Sequence, residues 1–347
     1  MTNVLSFMRS YLPRMLGPVP QIRHRAHAPH VSLQPVGLHD FLNLSIPTRE
    51  LLLSPILPAR SLSMLYAPRG IGKTLLGLSI ALTVASGTSL LRWSAPRPRR
   101  VLYVDGEMPL ADLQERLSAI SLGLAAEIPN DGFRVLAADQ TESGINLGSA
   151  EGQQALEPLL DGVDLLVLDN LSTLCTSSSE SASDAWVPMQ NWLLRLRRQG
   201  VAVLLIHHAG TNGRQRGTSR REDALDTVIA LRRPEDYAPE QGDRFEIHFE
   251  KLRQRVGGAG ASSEAIAQSL MDEGPPGLRW ISRDLKADAR KRAAELFEAG
   301  QTVRQVATTL GISKSEAGRL RQQSIDDGMV PISMAEAEEG LSLCPQH

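Results

Sequence analysis

With 347 residues, a formal net charge of −2 and 42% hydrophobic content, the chain has room for one large α/β domain and a smaller second one, and its total charge points to neither a nucleic acid nor a membrane partner. Its two cysteines, Cys175 and Cys344, are far apart and lack metal-ligand spacing, which argues against a disulfide framework or zinc site and suits a reducing cytoplasm. No run of eighteen apolar residues occurs, so no segment is expected to span a membrane.

Residues 1–36 carry Arg9, Arg14, Arg23 and Arg25, several prolines and no acidic residue. They read as a flexible basic arm, close to a transit peptide in charge but poor in serine, and an upstream mis-called start would look the same. A short segment, His39-Asp40-Phe41-Leu42, then leads through Pro47 and Pro58 to an apolar strand that runs into a glycine-bearing loop and a helix. Gly72, Lys73 and Thr74 meet the pattern G-x-x-x-x-G-K-[ST], with Ala67 in place of the first glycine. Alanine is the mildest replacement there, provided the position does not require a positive φ. The stretch Ala67, Pro68, Arg69, Gly70, Ile71, Gly72, Lys73, Thr74 and Leu75 is therefore expected to hold the β- and γ-phosphates of ATP through backbone N–H groups and the positive helix end. Lys73 adds a point charge, and Thr74 offers an oxygen to Mg²⁺.

Past a basic turn at 97–100, the apolar runs 101–105, 133–137, 165–169 and 201–207 read as strands, and 110–122, 151–160 and 186–198 as helices, with a serine-rich loop over 176–183. Continuous apolar strands alternating with helices predict a mainly parallel sheet covered on both faces. The pattern then changes. Residues 225–231 form another strand, and 245–249 alternate strictly, Phe245, Ile247 and Phe249 against Glu246 and His248, which predicts a half-exposed antiparallel strand. A glycine-rich segment over 257–260 and a closing strand over 278–281 complete this domain.

Asp169 ends a buried strand and is the expected acidic partner of Mg²⁺, although a helix-capping aspartate would look alike. Glu107 lies past the tip of another strand, where a carboxylate can activate water; a surface glutamate is the bland alternative. His207 and His208 end a strand facing the same crevice, and because successive side chains point to opposite faces, at most one of them serves the γ-phosphate. Arg214, Arg216, Arg220 and Arg221 lie on a glycine-rich loop that either meets phosphates, of a nucleic acid or of a neighbour's nucleotide, or is simply a solvated charge run. Lys251 and Arg253, two apart on a strand, are placed to reach one anion from one face.

Together these motifs resemble the RecA-like ATPases, specifically the RepA-like plasmid and phage AAA-type ATPases related to hexameric replicative helicases, over about residues 38–285. The resemblance implies Glu107 as catalytic base, Asp169 for Mg²⁺, Ile206-His207-His208 as a γ-phosphate sensor, and Lys251 and Arg253 as fingers reaching across a subunit interface. The C-terminal stretches 288–299, 303–310 and 314–324 read as three short helices, with Thr302-x-x-Gln305 and Ser313-x-x-Glu316 fitting capping boxes. They resemble a helix-turn-helix of the resolvase or sigma-factor kind whose last helix offers Lys314, Ser315, Arg319 and Arg321 to a major groove; a helical protein-docking module is the alternative. Lys and Arg outnumber Asp and Glu eight to four between residues 286 and 325, a local excess hidden in the near-neutral total.

The expected organisation is thus a basic arm (1–36), a RecA-like α/β P-loop ATPase domain (37–285), an all-α helix-turn-helix domain (286–330) and a loose tail (331–347). The expected function is an ATP-hydrolysing, DNA-associated motor with ATP and Mg²⁺ as cofactors, forming a homo-oligomeric ring and working as a replicative helicase or helicase loader. An ATP-switched DNA-binding regulator of replication or transcription is the alternative.

Overall fold

The computed structural model describes residues 35–124, 127–142, 144–176, 182–209, 223–234, 236–253, 265–271 and 277–329. The acid-free start up to residue 34, the loop carrying Arg214, Arg216, Arg220 and Arg221, and the tail from 330 onward lie outside these. The chain divides into a unit ending at Thr48 and a second beginning at Arg49. In the first, helix α1 (Leu38–Leu42) leaves Leu38, Phe41 and Leu42 exposed.

In the second unit, a hairpin of β1 (Leu51–Leu53) and β2 (Leu57–Pro58) precedes β3 (Leu62–Ala67), which leads into α2 (Lys73–Ser86). A small hairpin, β4 (Ser89–Leu90) and β5 (Trp93–Ser94), is followed by β6 (Val101–Asp105), α3 (Leu110–Leu124), β7 (Phe133–Ala137) and α4 (Ala150–Leu156). Then come β8 (Leu165–Asp169), the single turn α5 (Leu171–Leu174), α6 (Ala182–Gln199) and β9 (Ala202–His208). The chain continues through β10 (Thr227–Arg232), β11 (Arg244–Leu252), β12 (Ala265–Met271) and β13 (Leu278–Asp284), and the described part ends with α7 (Leu285–Glu298), α8 (Val303–Thr309) and α9 (Lys314–Asp326).

Among the described residues, nine strands form one sheet in the order β13-β12-β11-β10-β3-β9-β8-β6-β7. From β10 to β7 every neighbour is parallel, and from β10 outward to β13 every pair is antiparallel. The parallel strands β3, β6 and β8 are buried along their whole length, as their unbroken apolar runs require. One face carries α2 and α3, with Leu76, Leu78, Ile80, Leu113 and Ile120 against Leu65, Val167 and Ile206. The other carries α4 to α6, where Trp186, Met189, Trp192 and Leu196 close on Met64, Val104 and Leu205. Each large apolar side chain buried this way contributes about 1.5–3 kcal/mol.

The antiparallel extension differs from expectation in two places. Strand β12 is not expected from Ala265-Ile266-Ala267-Gln268-Ser269, where alanine, a weak strand former, flanks Ile266; hydrogen-bonded neighbours on both sides make it a strand. The register of β11 on β10 shifts where Phe249 faces Ile229 but Lys251 faces Val228, so Glu250 is an extra residue. Strict alternation would have set Lys251 on the side of Phe249. The bulge instead turns it to the face of Val228, and Arg253 lies just beyond the strand.

The extension also wraps back onto the helix after the loop. Trp280 of β13 donates from Nε1 to Ser79 Oγ of α2 at 2.9 Å. At Gly123 of α3 a Cβ would fall 1.8 Å from the Leu278 carbonyl oxygen, so only glycine lets that helix approach β13. Helices α7 to α9 then surround their own small core of Ala293, Phe297, Val306 and Ala317. Their starts are capped: Asp284 accepts from Ala287 N–H, Thr302 and Gln305 form a reciprocal box, and Ser313 accepts from Glu316 N–H, each worth about 1 kcal/mol.

Candidate active site

Parallel strands end at a common edge, and here that edge gathers the charged residues. Register places Ala67 beside His208 and Asp105 beside Asp169. A cleft of roughly 450 Å³ opens over this edge, lined among others by Arg69, Gly70, Gly72, Lys73, Thr74, Asp105, Glu107, Asp169, Asn170 and His208. An open α/β sheet offers its crevice at the carboxyl ends of its strands, so the position follows from topology.

The loop has the shape its sequence asks for. Ala67 is the last residue of β3, and the positive φ values fall on Gly70 (73°) and Gly72 (104°), so alanine for the first glycine meets no strain. Gly72 precedes the first residue of α2, whose N–H groups therefore face the cleft. Ile71 and Leu75 are buried beneath it, while Pro68, Arg69 and Gly70 are exposed. Lys73 Nζ donates to the Pro68 carbonyl at 2.7 Å, keeping the ammonium on the inner side of the loop. Burial holds that ammonium below its ordinary range, and Asp169 and Glu107 pull it partly back.

Asp169 is 3% exposed and accepts from Tyr103 Oη at 2.7 Å, with the Thr74 hydroxyl as a second donor. Burial pushes its carboxyl up to about 6, against the opposing pull of those two hydrogen bonds. A hydroxyl and a carboxylate brought together beside a loop lysine form a hard oxygen pair suited to Mg²⁺, so the donor set fits the ion. Asp105 is buried too, and burial raises its carboxyl; it accepts from the N–H groups of Glu107 and Met108 at 3.1 and 2.7 Å and so fixes the backbone at the base of Glu107. The Glu107 side chain is 57% exposed, lies 3.7 Å from His208 Nε2 and accepts from the Asn170 amide.

Sequence reasoning left the two histidines open and favoured His207. His208 lines the cleft, on the same face as Ile206 and α2, whereas His207, paired with Tyr66, lies on the opposite face of the sheet. The reason is side-chain parity along β9, which a continuously apolar strand does not reveal. Burial first, and the Lys73 charge second, hold the His208 imidazole below its ordinary value, so a neutral ring faces the cleft at pH 7.

Lys251 and Arg253 are not at this cleft. Strand β10 runs parallel to β3, with Thr227 opposite Ser63, and β11 runs back along it, so Leu252 opposite Thr227 lies near the start of β3. Arg253 is therefore about 16 Å along the sheet from the loop at the end of the same strand, and its guanidinium donates to the Asp223 carbonyl. Lys314, Ser315 and Arg319 are exposed on α9, but Arg321 is drawn over the Phe297 ring at 5.7 Å.

Five groups at or beside the cleft escaped the sequence reading. Tyr103 and Asp105 sit inside a strand whose apolar neighbours hid them. Asn170 carried a signal, an Asn between a strand and a helical turn, which is an N-cap pattern. Arg233 donates to the Gly70 carbonyl from across the sheet and, with Asp243, closes over the loop, a contact between residues far apart in sequence.

The AAA domain family model matches residues 27–214, a stretch that contains the cleft-lining residues from β3 to β9 and stops before Asp243, Lys251, Arg253 and the three C-terminal helices. Among solved structures, the chain is similar to a KaiC-like protein from the hyperthermophilic archaeon Pyrococcus horikoshii OT3. The two are 13% identical with a TM-score of 0.44, over 67% of this chain and 99% of that one.

Proposed function

The chain belongs to the AAA domain family, and on that premise we propose that it is a P-loop ATPase of the RecA-like type and a DNA-associated motor that hydrolyses ATP at the interfaces of a homo-oligomeric ring, acting as a replicative helicase or helicase loader. Loop amides and Lys73 bind the phosphates. Thr74 and Asp169 would hold Mg²⁺, which when bound neutralises charge between the β- and γ-phosphates. Glu107 takes the proton of the attacking water, and neutral His208 donates a hydrogen bond to the γ-phosphate.

The observation that carries the ring is the position of Lys251 and Arg253. A pair about 16 Å along the sheet from its own phosphate loop is not placed to serve that loop, and this supports a role at the loop of a neighbouring copy. An arginine arriving across an interface stabilises transition-state charge and is worth about 10³–10⁵ in rate. Arg253→Ala and Lys73→Ala chains should therefore each be inactive alone and recover partial ATPase activity when mixed, since some interfaces then pair an intact loop with an intact finger. Titrating one into the other at constant total protein, after sedimentation shows mixed oligomers, tests this. Background activity at every ratio, with mixed oligomers present, removes the trans reading.

For the DNA partner, what supports the reading is that α8 and α9 are joined by a short turn, with Lys314, Ser315 and Arg319 exposed on the second helix, as a helix-turn-helix would need. Single-turnover unwinding of a forked duplex separates a helicase from the second reading, an ATP-switched DNA-binding regulator. The Trp280 to Ser79 bond favours that second reading, because it ties the strand before the helix-turn-helix to the helix after the phosphate loop. Slow turnover, unstimulated by DNA and without strand separation, would decide for it.

A further inference from the structure

A general base on an exposed loop needs something to aim it. The backbone of Glu107 is held by Asp105, but those two bonds leave the torsions of its side chain open, and the carboxylate is 57% exposed. The Asn170 amide is in hydrogen-bond contact with Glu107 Oε2, and His208 Nε2 stands farther off at 3.7 Å.

Asn170 is itself rigid. It is 2% exposed, it follows Asp169 at the end of β8, and its Oδ1 accepts from the N–H groups of Ser172 and Thr173 at 3.0 and 3.3 Å, capping α5. An amide whose oxygen is committed to two backbone donors can only present its NH₂ on the other side. That side is where Glu107 stands. The donor is also neutral. A lysine or arginine in this place would hold the carboxylate as firmly but, by favouring its charged form, would weaken it as a proton acceptor.

We infer that Asn170 is a positioning residue for ATP hydrolysis: its amide, oriented by the cap it forms on α5, holds the Glu107 carboxylate over the cleft. The inference rests on the reading of Glu107 as base. A carboxylate misplaced by about 1 Å costs on the order of 10²-fold in rate.

The test uses the full chain with ATP and separates capping from holding. Asn170→Asp keeps an equally good cap but replaces the donor by an acceptor. It should lower kcat by about 10–100-fold and leave KM for ATP and the melting temperature near the parental values. Asn170→Ser keeps a capping hydroxyl too short to reach Glu107 and should also lose kcat, so the inference stays testable if the aspartate variant does not fold. On top of Glu107→Gln, Asn170→Asp should cause no further loss in single-turnover rate, because its target is gone. Parental kcat in Asn170→Asp or Asn170→Ser, with Glu107→Gln inactive, overturns the inference, as does a loss that repeats undiminished in the Glu107→Gln background. Near-parental turnover in Glu107→Gln alone strikes the base assignment instead, and this inference falls with it.

Discussion

The parallel half of the sheet, β7 to β10, gathers its charged residues at one end, whereas the antiparallel half, β11 to β13, divides its own between the two ends. In the parallel half β3, β6, β7 and β8 each return through helices, so Ala67, Asp105, Asp169 and His208 arrive at one edge and share one cleft. In the antiparallel half the direction reverses at β11. The hairpin that enters it, with Arg233 and Asp243, meets the cleft at the loop glycines, whereas its exit, Lys251 and Arg253, leaves from the far end. One half therefore builds a site within the chain, and the other carries charge away from it, which on the proposed ring reading is where a second chain would meet it.

The largest effect that would break this contrast is on nucleotide binding. Replacing Lys73 by Ala should abolish ATP binding, measured by titration, with little change in melting temperature, because its ammonium packs on its own loop rather than in the core. Undiminished affinity would dissolve the parallel-half site. Next, Glu107→Gln should bind ATP as the parent does and lose about 10²–10⁴-fold in turnover, the range of a general base. A near-normal rate moves the base elsewhere.

A chain stopped after Asp284 tests the other half. It keeps β13 complete and removes α7 to α9, so basal hydrolysis should persist while salt-sensitive affinity for duplex DNA drops about tenfold or more. Unchanged affinity would demote the three helices to protein docking. The smallest effect concerns stability. The Asp169 carboxyl is pushed up to about 6 in the fold, from 3.8 in the open chain, so its ionised form is disfavoured when folded and stability is lost as pH rises from about 4 through 6. Asp169→Asn should accordingly stabilise the nucleotide-free chain at pH 7.5 by on the order of 1–3 kcal/mol, an advantage that fades towards pH 4. Calorimetry at the two pH values measures it, and an equal shift at both would remove burial of charge as the cause.

Local patterns made the parallel half legible. Lys73 and Thr74 announce themselves through a loop motif of eight residues, Glu107 and Asp169 through their places after apolar strands, and the C-terminal helices through Thr302 and Ser313 at their starts. Strand parity was not legible, since β9 is buried on both faces and its pattern cannot say whether His207 or His208 turns to α2. Nor was the bulge at Glu250, because an extra residue in a strand shows only against its partner.

The sequence by itself thus marked the candidates: a loop suited to phosphate, an acid suited to a metal, and most of the segments that are strand or helix, because each depends on neighbours within a few positions along the chain. Only the tertiary structure decided the geometry among them. Tyr103 reaching Asp169, Asn170 holding Glu107, Trp280 bonding Ser79 and Arg253 leaving from the far end of the sheet all depend on strand order and register, which hydrogen bonds between distant segments set and no local pattern encodes.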